Sequence, residues 1–203
     1  MFSMPALNVL VSRLVFLLIG APIHEWAHAW SAYELGDDTA SMAGRLTLNP
    51  LAHLDAIGTI LILLTGFGWA KPVPVNPYRM RVEARTGMAI SAFAGPVSNF
   101  LLAMICAIPF RLGLLSYADP RLLPQMLVEI ASVSLGLGLF NLLPIYPLDG
   151  EKVLMGLLPR EMGDMLLSLR PFSPYILMGV IGLGIASTLI GIIFRPIWMA
   201  LFF

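Results

Sequence analysis

Charge is scarce in this chain. Asp, Glu, Lys and Arg make up 12% of its 203 residues, against 58% hydrophobic residues, and mean hydropathy is +0.85. A soluble domain carries about a quarter charged residues, so this composition excludes one and indicates an integral membrane protein. The 12 Lys and Arg balance the 12 Asp and Glu, and no basic run stands out, so nothing points to a nucleic-acid partner. Cysteine is nearly absent: Cys106 stands alone in an apolar run, which excludes an internal disulfide and suits a small buried hydrophobe. There is no internal repeat and no low-complexity segment. A positive n-region is also missing from Met1 to Pro5, and the first apolar run holds the chain's candidate metal ligands, so a cleaved signal peptide is not expected. By length the chain is one domain, 1–203, with a core over 6–150 and an interfacial helix and last span over 151–203.

What the chain does have is His24-Glu25-Trp26-Ala27-His28 inside its first apolar run. Histidines at i and i+4 stand on one helix face, so both imidazoles reach one ion while Glu25 lies in the neighbouring sector as a base. Two imidazoles do not complete a catalytic zinc site, which takes three protein ligands and leaves one position open. The best third ligand is Asp149, in Asn141-Leu-Leu-Pro144-Ile-Tyr-Pro147-Leu148-Asp149-Gly150, where an apolar helix meets two prolines and then a carboxylate. His53 reads as an interfacial or core histidine and stays outside the metal set.

In order along the chain, residues 6–35 read as a spanning helix, loosened where Pro22 lacks its backbone donor. In 41–48, Arg45 and Thr47 alternate with Leu46 and Leu48, which favours a short strand. The apolar part of 51–68 covers about twelve residues, short for a bilayer core of ~30 Å at ~1.5 Å per residue, so a re-entrant segment is expected. Residues 71–77 hold three prolines and must run extended. Residues 86–115 and 125–144 are further spans. Met162, Met165, Leu166 and Leu169 share one face of an interfacial helix, and 175–194 is the last span. The expected fold is therefore all-α and polytopic, with about four full transmembrane helices plus a re-entrant or short extended region after the first.

Parity constrains the topology. If His24, His28 and Asp149 share a metal, the C-terminal ends of the first helix and the 125–144 helix lie at one depth, and the crossings between them are odd in number. The 86–115 span is one crossing, so 51–68 must not be another. The site side then holds Arg45, Lys71, Arg79, Arg81, Arg85, Lys152, Arg160 and Arg170, and the other side Arg111, Arg121 and Arg195. By the positive-inside rule the site faces the cytoplasm. Arg13 and Glu129 fall at similar depth, on the order of 17 Å from the site, and are expected to pair.

Taken together, His-Glu-x-x-His at 24–28, Gly-Pro-x-x-Asn at 95–99 and Asn-x-x-Pro-x-x-x-Leu-Asp-Gly at 141–150 resemble the site-2 protease family of intramembrane zinc metalloproteases, especially its small prokaryotic members. The resemblance spans about residues 15–160. It implies one Zn²⁺ per chain on His24, His28 and Asp149, Glu25 as catalytic base, Asn141 as a helper near the reacting carbonyl, a transmembrane protein as substrate and a prokaryotic inner membrane as location. A re-entrant hairpin after the first motif is also a family feature. No accessory domain of the PDZ or CBS type is expected to select substrates here.

In that chemistry zinc brings the pKa of a bound water toward ~7 and Glu25 takes its proton. Asn141 in an apolar helix either binds the substrate or bonds a neighbouring helix, and Ser98 and Asn99 carry the same two readings. The extended stretches 41–48 and 71–77 are candidates to hold an unwound substrate by strand addition. Two rivals remain: a membrane metal-ion transporter, and an inactive homologue that binds membrane proteins without cutting them. The absence of repeats weighs against the first, and Glu25 against the second.

Overall fold

The computed structural model describes residues 7–65, 68–117 and 121–203. It is 76% helix, and among the described residues no strand occurs. The first crossing is built in three pieces: α1 (Leu7–Val15), a wide π-turn over Phe16–Gly20, and α2 (Ala21–Glu34). Pro22 explains the join. With no N–H to return to the Leu18 carbonyl, the helix widens, and the Ala21 N–H reaches back five residues to Phe16. The expected loosened turn is therefore present just before the histidines.

After α2 comes a short α3 (Thr39–Met42) and then turns, not the strand expected over 41–48. The Arg45 N–H closes a turn onto the Ala40 carbonyl at 2.8 Å, with Gly44 at φ 66°. Arg45 itself is buried, its guanidinium donating to the Lys71 carbonyl. Arg45, read as part of a strand's alternation, is thus turned inward to hold another segment. Next, α4 (Ala56–Thr65) has ten residues, about 15 Å of helix, half a bilayer core. The chain then returns beside it: a Cβ on Gly58 would lie 2.1 Å from the Trp69 carbonyl oxygen, and the Lys71 N–H bonds the His53 carbonyl at 2.8 Å. Segment 51–71 enters and leaves on one side, as a re-entrant hairpin does.

The long α5 (Ala84–Arg111), whose N-terminus is capped by Glu83 accepting from the Thr86 N–H at 2.9 Å, packs against α2 and against α6 (Leu122–Asn141). Small residues let the α5 and α6 backbones approach closely, with Ala103, Ala107 and Ala131 buried beside Leu135 and Leu139. Glu129 does meet the first helix at the expected depth, but its partner is the Ser12 hydroxyl. Arg13 instead donates to the Leu63 carbonyl at 2.6 Å, tying the first helix to α4.

Beyond α6 lie α7 (Asp149–Leu157), α8 (Arg160–Leu169), α9 (Ser173–Gly182) and α10 (Ile185–Phe202). The single span expected over 175–194 is divided: Gly184, at φ 71°, ends one helix and starts the next, and α10 runs on through Arg195 and Pro196. Five segments are long and apolar enough to cross a membrane: Val9–Glu34, Ala84–Arg111, Leu122–Asn141, Arg160–Gly182 and Ile185–Phe202. The ends of the last two limit their crossings. Arg160 lies 3.8 Å from Glu83 at the start of α5, while the Phe202 ring lies 5.2 Å from Phe110 at its end. Between those levels the chain makes a net single passage, and α10, packed on α5 and α6, is that passage. Four full crossings result.

Candidate metal centre

His24 and His28 face inward from α2, 4% and 8% exposed, with their rings 4.6 Å apart and edge to face. Asp149 reaches them from the first turn of α7. The loop 142–148, with two prolines and a cis Tyr146-Pro147 bond, folds back on the end of α6. It is so close that a Cβ on Gly150 would lie 2.2 Å from the Leu142 carbonyl oxygen. Glycine after the aspartate is thus what lets α7 begin beside α6. Both imidazole Nε2 atoms converge on one carboxylate oxygen: Asp149 Oδ2 lies 3.0 Å from His24 and 3.1 Å from His28. The two helix ends therefore share one level, as the odd crossing count requires.

The donor set fits a divalent metal. The three ligand atoms lie within 4.8 Å of one another. A tetrahedral site with bonds of about 2.0–2.1 Å has ligand–ligand edges of about 3.3 Å, a few tenths longer than the two contacts seen. Burial alone would raise the Asp149 pKa, but the imidazoles of His24 and His28 beside it outweigh that and hold the carboxylate below its ordinary range, in the form that binds metal. Its other oxygen, Oδ1, accepts from Lys152 Nζ at 3.1 Å.

One face of α5 surrounds the two imidazoles. Ser91, Gly95 and Asn99 are spaced four apart and form a stripe. His28 Nδ1–H donates to the Ser91 carbonyl at 2.7 Å, which leaves Nε2 free as a ligand. At Gly95 a Cβ would lie 2.4 Å from His28 Cε1 and 2.7 Å from His24 Cε1, so only glycine lets the helix press on both rings. Asn99, fully buried, places its amide nitrogen 3.1 Å from His24 Nδ1. Ser98 lies off this stripe, and its hydroxyl bonds the Gly95 carbonyl.

A cavity of about 260 Å³ opens over these residues. Glu25 and Asn141 line it, together with His24, His28, Asp149 and Lys152. Glu25 accepts from the Val73 N–H at 2.9 Å, so the proline-rich stretch forms one wall, with Pro72, Val73 and Val75 on the cavity. Asn141 donates one amide N–H to the Leu137 carbonyl at 3.0 Å. All five residues singled out in the sequence thus meet in one place. His53 stays outside, fully buried with Nε2 2.8 Å from the Thr47 carbonyl. Sequence reasoning missed Lys152, visible in principle as i+3 from Asp149, and the Ser91 carbonyl, which no side chain signals.

The likeness to known proteins points the same way. Over 160 residues the chain is 44% identical to "Putative zinc metalloprotease YwhC" of Bacillus subtilis, covering 75% of this chain and 72% of that one. It is 30% identical over 155 residues to a protein of the same description, MJ0611 of Methanocaldococcus jannaschii, covering 75% of each. The chain belongs to the site-2 protease family. Rip2 of Mycobacterium tuberculosis, another of these metalloprotease relatives, is 29% identical over 199 residues, 94% of this chain and 73% of its own. No family model matches the chain, and no solved structure gives a significant match. Within this family of zinc metalloproteases, the chain is an all-helical polytopic membrane protein whose buried His24, His28 and Asp149 could hold a metal ion.

Proposed function

We propose that this chain is an intramembrane zinc endopeptidase that cuts peptide bonds within or next to the transmembrane segments of other membrane proteins. One observation carries the reading: two imidazoles and a carboxylate converge at the floor of a cavity that also holds Glu25, between helices long enough to cross a bilayer. His24, His28 and Asp149 would hold a zinc ion, which would supply Lewis acidity toward a water and a peptide carbonyl. Glu25, on the cavity wall one residue after His24, is the base that takes a proton from the attacking water and returns it to the leaving amine. Asn141 has a second amide N–H beyond the one given to Leu137, and this donates to the substrate carbonyl as charge builds on its oxygen.

The substrate must enter unwound, because helical amides are occupied and shielded. The stretch 71–76, which ends where Pro77 opens a 3-10 turn, supplies a non-helical neighbour for it, with Asn76 in the β region of backbone conformation. The stretch 41–48 is not extended and leaves this role. With Arg45, Lys71, Arg79, Arg81 and Arg85 on the site side against Arg111 and Arg121 on the other, the site faces the cytoplasm of a prokaryotic inner membrane.

The test is Glu25→Gln in protein reconstituted with a membrane substrate, with zinc content measured alongside cleavage. Loss of cleavage by 10²–10⁴-fold with about one zinc retained per chain is expected. Zinc flux into vesicles that survives the substitution would favour a transporter. Binding of membrane proteins with no cleavage by the wild type would favour an inactive homologue.

A further inference from the structure

We infer that Asn99 is a positioning residue for His24, acting as a hydrogen-bond acceptor that fixes which imidazole nitrogen is free to bind metal. A histidine that ligates through Nε2 carries its proton on Nδ1 and needs an acceptor there. His28 has one, the Ser91 carbonyl at 2.7 Å. The group facing His24 Nδ1 is the Asn99 amide, 3.1 Å away and fully buried, and among the described residues no other side chain bonds that nitrogen.

As oriented, Asn99 turns its NH₂ toward His24, and its own Oδ1 is buried with no hydrogen-bond partner. That arrangement asks Nδ1 to be the acceptor and puts the imidazole proton on Nε2, the nitrogen aimed at Asp149. A half-turn of the amide reverses both assignments. Oδ1 then accepts from Nδ1–H, the orphaned oxygen gains a donor, and Nε2 is free as a ligand. The site has a matching logic for both histidines: Ser91 and Asn99 lie one turn either side of Gly95, and each meets the Nδ1 of one ring. Asn99 can serve in both orientations, which a carbonyl cannot.

The inference rests on the reading that His24 and His28 hold the metal. Its test uses the full chain in detergent, with Zn²⁺ affinity measured by competition against a chelator for wild type, His24→Ala, Asn99→Leu and Asn99→Asp. Asn99→Leu, which offers no acceptor, is expected to weaken zinc binding 10–100-fold. Asn99→Asp, an acceptor only, is expected to restore it to within a few-fold of wild type. In ¹⁵N-histidine spectra of the zinc-loaded wild type, the His24 Nδ1 resonance, assigned by its loss in His24→Ala, is expected at a protonated-nitrogen position. The inference falls if Asn99→Leu binds zinc as wild type does, if Asn99→Asp is as weak as Asn99→Leu while eluting as folded monodisperse protein, or if His24 Nδ1 is unprotonated. Wild type that binds no zinc, or binds it equally well after His24→Ala, would instead remove the underlying reading and this inference with it.

Discussion

A methyl group at position 95 has nowhere to go. It would sit 2.4 Å from one imidazole and 2.7 Å from the other, and both rings are held from behind by Asp149. Alanine favours a helix over glycine by about 1 kcal/mol, so Gly95→Ala should not unfold α5. We expect it to push α5 off α2 and lower zinc affinity at least about tenfold, with little change in helical content by circular dichroism. Wild-type zinc affinity in Gly95→Ala would show that the rings have room to retreat. Lys152 makes a gentler case: Lys152→Met leaves Asp149 Oδ1 without its 3.1 Å partner, and zinc competition should register a loss of up to about tenfold that Lys152→Arg recovers in part. At this scale the sequence was most readable. Histidines four apart, and a carboxylate where an apolar helix ends, are side-chain signals that survive without coordinates. Ser91 acts through a backbone carbonyl, and Gly95 through the atom it lacks, so neither announces its role.

The element most exposed to misreading is the stretch between α2 and α5, because several of its polar side chains hold backbone far away in sequence. Asp37, fully buried, accepts from the Thr39 N–H at 3.1 Å, from the Thr39 hydroxyl, and from the Asn76 N–H at 2.6 Å. With Arg45 on the Lys71 carbonyl and Glu25 on the Val73 N–H, three charged side chains from the first third of the chain pin residues 71–76 along the cavity. The periodicity of 41–48 suggested a strand because alternation cannot distinguish a solvated face from residues turned inward to serve a distant segment. The proline spacing of 71–77 was a clearer signal, since prolines that close exclude a regular helix; none forms over 71–76, and Pro77 opens a 3-10 turn. Asp37→Ala should destabilise the protein by about 1–3 kcal/mol, the cost of leaving the part-buried Asn76 N–H unpaired. The loosening should be local first, seen as faster hydrogen exchange at the Val73 and Asn76 amides while α5 and α6 amides stay protected. Uniform acceleration across all helices would mean instead that Asp37 supports the whole bundle.

At the scale of the molecule, three contacts fix which chain ends lie at one level. The metal-centre residues tie the first two turns of α2 to the start of α7, Arg160 lies beside Glu83 at the start of α5, and Phe202 lies beside Phe110 at its end. Those ties leave an odd number of passages between α2 and α6, so that Asp149 returns to the level of the histidines, and a net single passage from Arg160 to Phe202, so the site and the chain's last residues lie on opposite faces. Length and apolarity alone would count Arg160–Gly182 as a further crossing and put both on the same face. Cysteine labelling separates the two counts. Because Cys106 is the only cysteine, a Cys106→Ala chain accepts single reporters at Tyr78, Leu114 and Phe203, which are 88%, 70% and 66% exposed. With a thiol reagent that does not cross membranes, Tyr78→Cys is expected to react only from the cytoplasmic face. Leu114→Cys and Phe203→Cys are expected to react only from the opposite one. Reversal of all three would keep the topology and overturn the orientation argued from the basic residues. Phe203→Cys labelling together with Tyr78→Cys would make Arg160–Gly182 a true crossing, and the contact between Phe202 and Phe110 would then have to form some other way.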